Sequence, residues 1–232
     1  MELGIFLLRW IHFLAGITWI GMLYYFNFVQ TPFFAEAEPG VRSAAIQKLV
    51  PRALWWFRWG AMVTFLAGLL MYLHRLGESG GDFFTTNYGV TITIGSLLGT
   101  LMFLNVWLVI WPAQQVVIAS ATQVAQGGQA IPEAAARGRR AALTSRTNTV
   151  FSIPMLFYMG AASHFSGLVG QTTASAATAL LIVAAVIIGA VEVNALVGTQ
   201  GPTKKPLDSV SGALWFGFIL SVVLYGVVKV LA

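Results

Sequence analysis

Apolar residues form long uninterrupted segments along this chain, and polar residues collect in the stretches between them. Each segment has about 20 residues, the length that a helix needs to cross a hydrocarbon core of roughly 30 Å. None alternates apolar and polar residues with a period of two, as the strands of a membrane β-barrel do. The segments cover residues 4–30, 53–74, 88–111, 147–165, 174–197 and 210–231.

This pattern predicts an all-α polytopic membrane protein with a bundle of about six transmembrane helices, because backbone groups in lipid must pair within the segment. The composition agrees, with 57% hydrophobic and 9% charged residues, whereas soluble domains carry roughly 25% charged residues. We expect a single integral-membrane domain over residues 1–232. The first segment has no basic leader and no small-residue cleavage site, which indicates a retained span and not a signal peptide.

Proline and alanine set the expected helix ends. The first helix is expected to stop at Thr31-Pro32, and the apolar segment of the third is expected to end where it meets Pro112, since proline has no N–H to donate inside a helix. The long connection over residues 113–146 is rich in alanine, a strong helix former. We therefore expect the third and fourth helices to extend beyond the membrane there.

Basic residues gather on one side of the predicted bundle. The opposite side holds only Arg9, Arg75 and Lys229, and the other Lys and Arg residues lie in or beside the loops after helices one, three and five. Because basic loops stay in the cytoplasm, both termini are expected outside, in the periplasm of a bacterium, with the protein in the inner membrane. This topology also explains the net charge of +5, so no nucleic-acid partner is expected.

Three histidines share the outer half of the predicted bundle. His12 lies about two turns into helix one, His74 closes helix two and His164 closes helix four. Ionisable residues inside a membrane commonly mark functional sites. Gly16, one turn after His12, leaves room for a flat, bulky group, and Arg9, one turn before it, can pair with a carboxylate.

These features predict a haem b with His12 and His164 as axial ligands and Arg9 beside a propionate. Two protein ligands leave no open position on the iron, which suits electron transfer. His74 is a third ligand candidate, a propionate partner or an interfacial residue. The chain has no cysteine, which excludes covalent haem attachment through C-x-x-C-H, iron–sulfur clusters and thiolate catalysis within these residues.

Two alternatives to haem remain open for the histidines. Copper is the weaker metal candidate, because imidazole and thioether groups bind it, and Met71 and Met159 are the nearest methionines. The histidines can also be structural, with hydrogen bonds across the helices.

A second polar set lies in the predicted inner half. Glu192 lies about two turns from the inner end of helix five, where a carboxylate needs a partner or a proton. We expect a quinone, substrate or proton-uptake site there, and the alternative is an aromatic belt with one structural Glu–Arg pair. The polar residues of other helices at comparable depth are Arg58, Asn105, Arg146, Asn148, Asn27 and Gln30.

Three segments together resemble the N-terminal membrane domain of bacterial urate hydroxylases: "RWIHFLAGITWIGMLYYF", "NVWLVIWPAQQ" and "SRTNTVFSIPMLFYMGAASHF". In this urate oxidase family a multi-helix domain precedes a C-terminal cytochrome c. The resemblance spans roughly residues 8–165 and implies oxidation of urate, with electrons passed to a cytochrome c. The motif positions carried over are His12, His164, Arg146, Asn148, Trp111, Pro112 and Gln114.

The sequence ends with helix six and has no cytochrome c domain of its own, so a separate carrier is expected. The leading hypothesis is a haem b-binding electron-transfer protein or subunit that serves a periplasmic cytochrome c or a respiratory or dehydrogenase complex. A second hypothesis is a urate-oxidising membrane enzyme with a separate cytochrome c acceptor. A third is a haem-free structural subunit of a membrane redox complex.

Overall fold

A computed structural model describes residues 2–170 and 172–231. Their regular structure is helical throughout, which confirms the predicted all-α class. Two segments are π-helical (Tyr25–Gln30 and Asn105–Ile110) and two are 3-10 helical (Gly80–Thr85 and Pro202–Asp208). The α-helices are α1 (Glu2–Tyr24), α2 (Thr31–Glu36), α3 (Pro39–Lys48), α4 (Val50–Ser79), α5 (Asn87–Leu104), α6 (Trp111–Ala125), α7 (Ala134–His164), α8 (Ala174–Leu196) and α9 (Val210–Leu231).

Within the described residues, five helical rods are long and apolar enough to cross a membrane. The chain is therefore an integral membrane protein, as the sequence predicts. The fourth predicted segment lies in α7, which has 31 residues and is long enough but does not count among the five. The five rods are Glu2–Glu36, Val50–Thr85, Asn87–Ala125, Ala174–Leu196 and Val210–Leu231.

The central position of α7 explains its polar composition. This helix packs against α1, α5, α6, α8 and α9, so its side chains meet protein on several faces. Polar groups within a membrane protein are tolerated where other helices supply partners. The polar residues of α7 that the other helices bury are Thr144, Arg146, Thr147, Asn148, Thr149 and Ser152.

The prolines do not end the first and third helices, and this part of the prediction is wrong. Each helix passes through one π-helical turn and continues, as α2 beyond Pro32 and as α6 beyond Pro112. The Thr31 N–H donates to the Phe26 carbonyl five residues earlier. Proline lacks an N–H and crowds the carbonyl four residues before it, so a wider turn lets each helix continue.

The extension of the third and fourth helices is confirmed. Helix α6 continues to Ala125, and α7 begins at Ala134 after a short turn. The structure adds one helix that the sequence analysis did not predict, α3, in the connection between the first two rods.

Polar bonds tie the connections together at each end of the bundle. At the basic end, which includes the α6–α7 and α8–α9 connections, Arg139 Nη2 lies 2.8 Å from Asp208 Oδ1 and Lys204 Nζ donates to the Val197 carbonyl at 2.9 Å. Burial, followed by the nearby charges of Arg140 and Arg139, lowers the pKa of Lys204. At the terminal end, which includes the α7–α8 connection, Lys229 Nζ donates to the carbonyls of residues 167 and 168, each at 2.8 Å.

Candidate functional site

His12 is held in one orientation by a backbone carbonyl. Its Nδ1 lies 2.8 Å from the carbonyl oxygen of Thr64 on α4. Because a carbonyl oxygen only accepts, Nδ1 carries the proton, and Nε2 of the neutral ring keeps its lone pair. A histidine that binds a metal through one nitrogen commonly donates the other N–H in this way.

Gly68 gives the imidazole its place on α4. A Cβ atom at Gly68 lies 2.9 Å from His12 Cε1 and 3.2 Å from His12 Nδ1, so a larger residue displaces the ring. Gly60 allows the same close approach two turns earlier, because a Cβ there lies 3.1 Å from the Trp19 backbone nitrogen. Between them, the Thr64 hydroxyl donates to the Gly60 carbonyl at 2.7 Å. The contact of α1 with α4 thus fixes the ring.

His12 lines a largely apolar cavity of about 620 Å³ between α1, α4, α5 and α7, within the range of roughly 300–1,000 Å³ typical of ligand pockets. Trp19 lines it too, and the buried indole N–H of Trp19 has no partner among the described residues. Met155 and Met159 bring thioether sulfurs to the cavity from α7. Its other polar residues are Thr64, Tyr72, Thr93, Ser96 and Thr100.

The other predicted residues of the outer half do not line this cavity. His164 is exposed at the end of α7, and Arg9 is exposed on α1. His74 is half-buried, and its Nε2 lies 3.4 Å from Glu78 Oε1. The described residues contain no cluster of three His, Asp or Glu side chains able to hold a metal. The axial pairing of His12 with His164 therefore stays a prediction.

Three of the predicted inner residues meet in one buried network. Asn105 Nδ2 donates to Asn148 Oδ1 at 2.9 Å and to Glu192 Oε2 at 3.0 Å. Asn148 Nδ2 donates in turn to the Met102 carbonyl at 2.9 Å. The network joins the second π-helical segment to α7 and α8, and no Lys, Arg or His within the described ranges forms an ion pair with Glu192.

Arg58 lies apart from this network. Its guanidinium carbon is 3.9 Å from the centre of the Trp111 ring and 5.5 Å from that of Trp107, which is cation–π geometry. The structural Glu–Arg pair raised as an alternative does not form, because Glu192 is bonded to Asn105 and Arg58 stacks on Trp111.

Arg146 lines a second, smaller cavity of about 190 Å³ at the basic end. The residue is 8% exposed, and its Nη1 is buried without a hydrogen-bond partner among the described residues. Gln30 lines the same cavity, and its Oε1 is likewise buried and unpartnered there. Asn27 donates both Nδ2 hydrogens, to the Leu23 carbonyl and to Ser145 Oγ, each at 2.9 Å.

The family model described as urate oxidase N-terminal matches residues 81–222. The match covers more than half of the 232 residues. The chain belongs to the urate oxidase N-terminal family. No curated protein and no solved structure matches it.

Membership in the urate oxidase N-terminal family confirms the resemblance read from the sequence, but over a different range. The matched residues include α8 and part of α9, which lie beyond the resemblance at residues 8–165. They contain the Asn105–Asn148–Glu192 network and Arg146. His12 and α1 precede the match, so the motif in the first helix is additional to it.

The sequence analysis missed the α4 partners of His12 in this urate oxidase N-terminal domain. Gly60, Thr64 and Gly68 recur at four-residue intervals, and small residues with this spacing commonly line close helix contacts in membranes. The four-residue spacing therefore predicts that α4 packs closely against another helix, but it does not identify that helix.

Proposed function

We propose that this protein carries electrons from the oxidation of urate to a cytochrome c and binds a haem b beside His12. The family match supports urate as the electron source. The observation on which the haem proposal depends is the His12 ring, which lines the cavity and whose Nδ1 is bonded to the Thr64 carbonyl at 2.8 Å, so that Nε2 keeps its lone pair.

The residues around His12 fit a haem. The cavity is mostly apolar, as a macrocycle requires. Glycines at positions 16, 68 and 99 line it and leave space, because they have no side chains. His12 would hold the haem iron through Nε2. A second ligand would come from the thioether of Met155 or Met159, which line the cavity, or from His164, which the sequence predicts but which lies outside the cavity. When bound, the haem supplies a one-electron carrier.

The proposed reaction balances with cytochrome c as the oxidant. Urate and one water give hydroxylated urate, two protons and two electrons, and two molecules of cytochrome c take one electron each. The expected acceptor is a periplasmic cytochrome c or a respiratory or dehydrogenase complex. With both termini outside the bacterial inner membrane, the half of the bundle that contains His12 faces this acceptor.

The optical spectrum of the purified protein tests this function. The dithionite-reduced minus oxidised spectrum is expected to show haem b in the wild type and to lose it in His12→Ala. His74→Ala is the matched control and keeps the signal, because His74 does not line the cavity and its Nε2 lies 3.4 Å from Glu78 Oε1. The variants His164→Ala and Met159→Leu then identify the second ligand.

Reduction of the haem on addition of urate is the second expected result. Folded protein without haem contradicts the proposal and favours the haem-free structural subunit. Purified protein that contains copper in place of haem, detected by elemental analysis, contradicts it as well.

A further inference from the structure

One nitrogen of the Arg146 guanidinium is buried without a hydrogen-bond partner. This atom, Nη1, is unbonded within residues 2–170 and 172–231, although only 8% of the residue is exposed. The Asp208 carboxylate acts on Arg146 electrostatically, but its ion pair is with Arg139. A buried donor without an acceptor is unfavourable, and a ligand acceptor in the adjoining cavity would satisfy it.

Gln30 offers the complementary atom in the same cavity. Its Oε1 is a buried acceptor without a donor among the described residues. Gln114 adds a second carboxamide to the lining. An occupant that satisfies both atoms must accept a hydrogen bond from Arg146 and donate one to Gln30, and the carbonyl and N–H groups along the edges of oxidised purines can do both.

The charge and size of the cavity restrict its occupant further. Two guanidinium groups, of Arg139 and Arg146, line it against the single carboxylate of Asp208, so the lining has an excess of positive charge. Arg139 and Asp208 bond each other at 2.8 Å, so Arg146 is the lining cation without an ion pair among the described residues, although the Asp208 carboxylate also acts on it electrostatically. At roughly 30 Å³ per water molecule, the 190 Å³ volume corresponds to about six waters, which is enough for one small planar molecule and too little for a haem.

Both π-helical segments border this cavity. Gln30 ends the first and Ile110 ends the second, and both residues line it. π-Helical turns inside α-helices are frequent at functional sites. The inserted residue in each turn shifts the side chains that follow relative to a regular helix, which sets the direction of Gln30.

We propose that this cavity is the substrate site and binds urate as a planar purine monoanion. Arg146 donates to a carbonyl oxygen or to the deprotonated ring nitrogen, and Gln30 accepts from a ring N–H. The assignment of urate rests on the proposed function. Asn27 follows His12 by 15 residues, or roughly 22 Å at 1.5 Å per residue, so the substrate and the haem occupy different halves of the bundle.

Equilibrium dialysis with radiolabelled urate, on the full chain in lipid nanodiscs, tests the site. Arg146→Gln is expected to raise the Kd for urate about 10- to 100-fold, the range for hydrogen bonds to a charged group. Gln30→Leu is expected to raise it about 2- to 10-fold, the range for neutral hydrogen bonds. Arg137→Gln, the same charge change at an exposed position of α7, leaves the Kd unchanged.

Competition with other anions tests the purine assignment. Benzoate and inorganic phosphate lack the paired carbonyl and N–H edge and are expected to displace urate weakly. Displacement as effective as that by unlabelled urate overturns the purine assignment, and an unchanged Kd in Arg146→Gln overturns the site. If Arg146→Gln does not fold, Gln30→Leu and Gln114→Leu decide in its place, and unchanged affinity in both overturns the site.

The haem spectrum separates this inference from the proposed function. Binding by dialysis needs no electron transfer, so urate binding that depends on Arg146 in protein without haem supports the site and contradicts only the haem. A haem that urate still reduces, in protein whose Kd for urate is unchanged by Arg146→Gln, contradicts the site alone.

Discussion

At the scale of single residues, the absence of a side chain at Gly68 positions the His12 ring. The imidazole of His12 occupies the space that a Cβ at Gly68 would fill, and its Nδ1 reaches the Thr64 carbonyl one turn earlier on α4. The orientation of the proposed haem ligand therefore depends on a glycine of another helix. Arg146 and Gln30 are the opposite case, in which present side chains lack partners.

Gly68→Ala is expected to push the His12 ring away from the Thr64 carbonyl, because the new Cβ lies 2.9 Å from His12 Cε1. Overpacking of this kind costs about 1–3 kcal/mol. We expect that loss in the free energy of unfolding, measured by titration with SDS, together with a weakened haem signal. Gly77→Ala, in the same helix and with open space around it, is the control. Wild-type stability and spectrum in Gly68→Ala would show that Gly68 does not hold the ring.

At the scale of elements, proline shapes the helices without ending them. Pro32 and Pro112 each follow a π-helical segment closely, and in both places the helix continues on the far side. The N–H of Trp111 bonds the Val106 carbonyl, five residues back, as Thr31 bonds Phe26. These turns supply Gln30 to the small cavity and Asn105 to the Glu192 network.

Pro32→Ala is expected to turn the first π-helical segment into α-helix, because the restored N–H can bond the carbonyl of Phe28. Conversion of the π-helical turn to α-helix shifts the hydrogen-bond register by one residue. This shift rotates Gln30 by about 100° relative to α2, given 3.6 residues per turn. We expect slower hydrogen–deuterium exchange over residues 25–33 and weaker urate binding. Pro51→Ala, at the start of α4 where no N–H is needed, should change neither quantity. Unaltered exchange in Pro32→Ala would remove proline as the cause of the turn.

At the scale of the whole molecule, polar side chains lie at the centre of the bundle and apolar side chains lie on its surface. Helix α7 holds its polar side chains at the centre, and the surrounding rods expose apolar residues such as Ile17, Val186 and Val222. The bundle is thus a membrane protein whose most polar long helix is its most enclosed one. Its charge is also uneven from end to end, and this asymmetry sets the expected orientation.

Cysteine labelling tests that orientation cleanly, because the sequence has no cysteine. Single substitutions are made at the exposed residues Ser79, at the terminal end, and Ala136, at the basic end. A membrane-impermeant maleimide added to intact spheroplasts should label Ser79→Cys and spare Ala136→Cys until the cells are opened. The reverse pattern would place the basic end outside, against the positive-inside rule.

Much of the fold follows from the sequence because few backbone structures are stable in lipid. A segment of about 20 apolar residues must pair its own backbone, which is why the helices appear where the hydropathy predicts them. The helix ends predicted at Pro32 and Pro112 were wrong because a π-helical turn lets the helix continue past a residue without an N–H. A local sequence pattern does not distinguish a helix end from such a turn. The polar content of α7 was visible, but the reason for it was not.

The sequence by itself therefore determined the helical class, the membrane setting and the family, since hydropathy, composition and motifs are all local. Only the tertiary structure decided which of the predicted site residues meet. It joined Asn105, Asn148 and Glu192, separated Arg58 from them, and left His164 outside the cavity of His12. Equal depth on different helices does not specify contact, because contact depends on the rotation and neighbours of each helix, which packing alone decides.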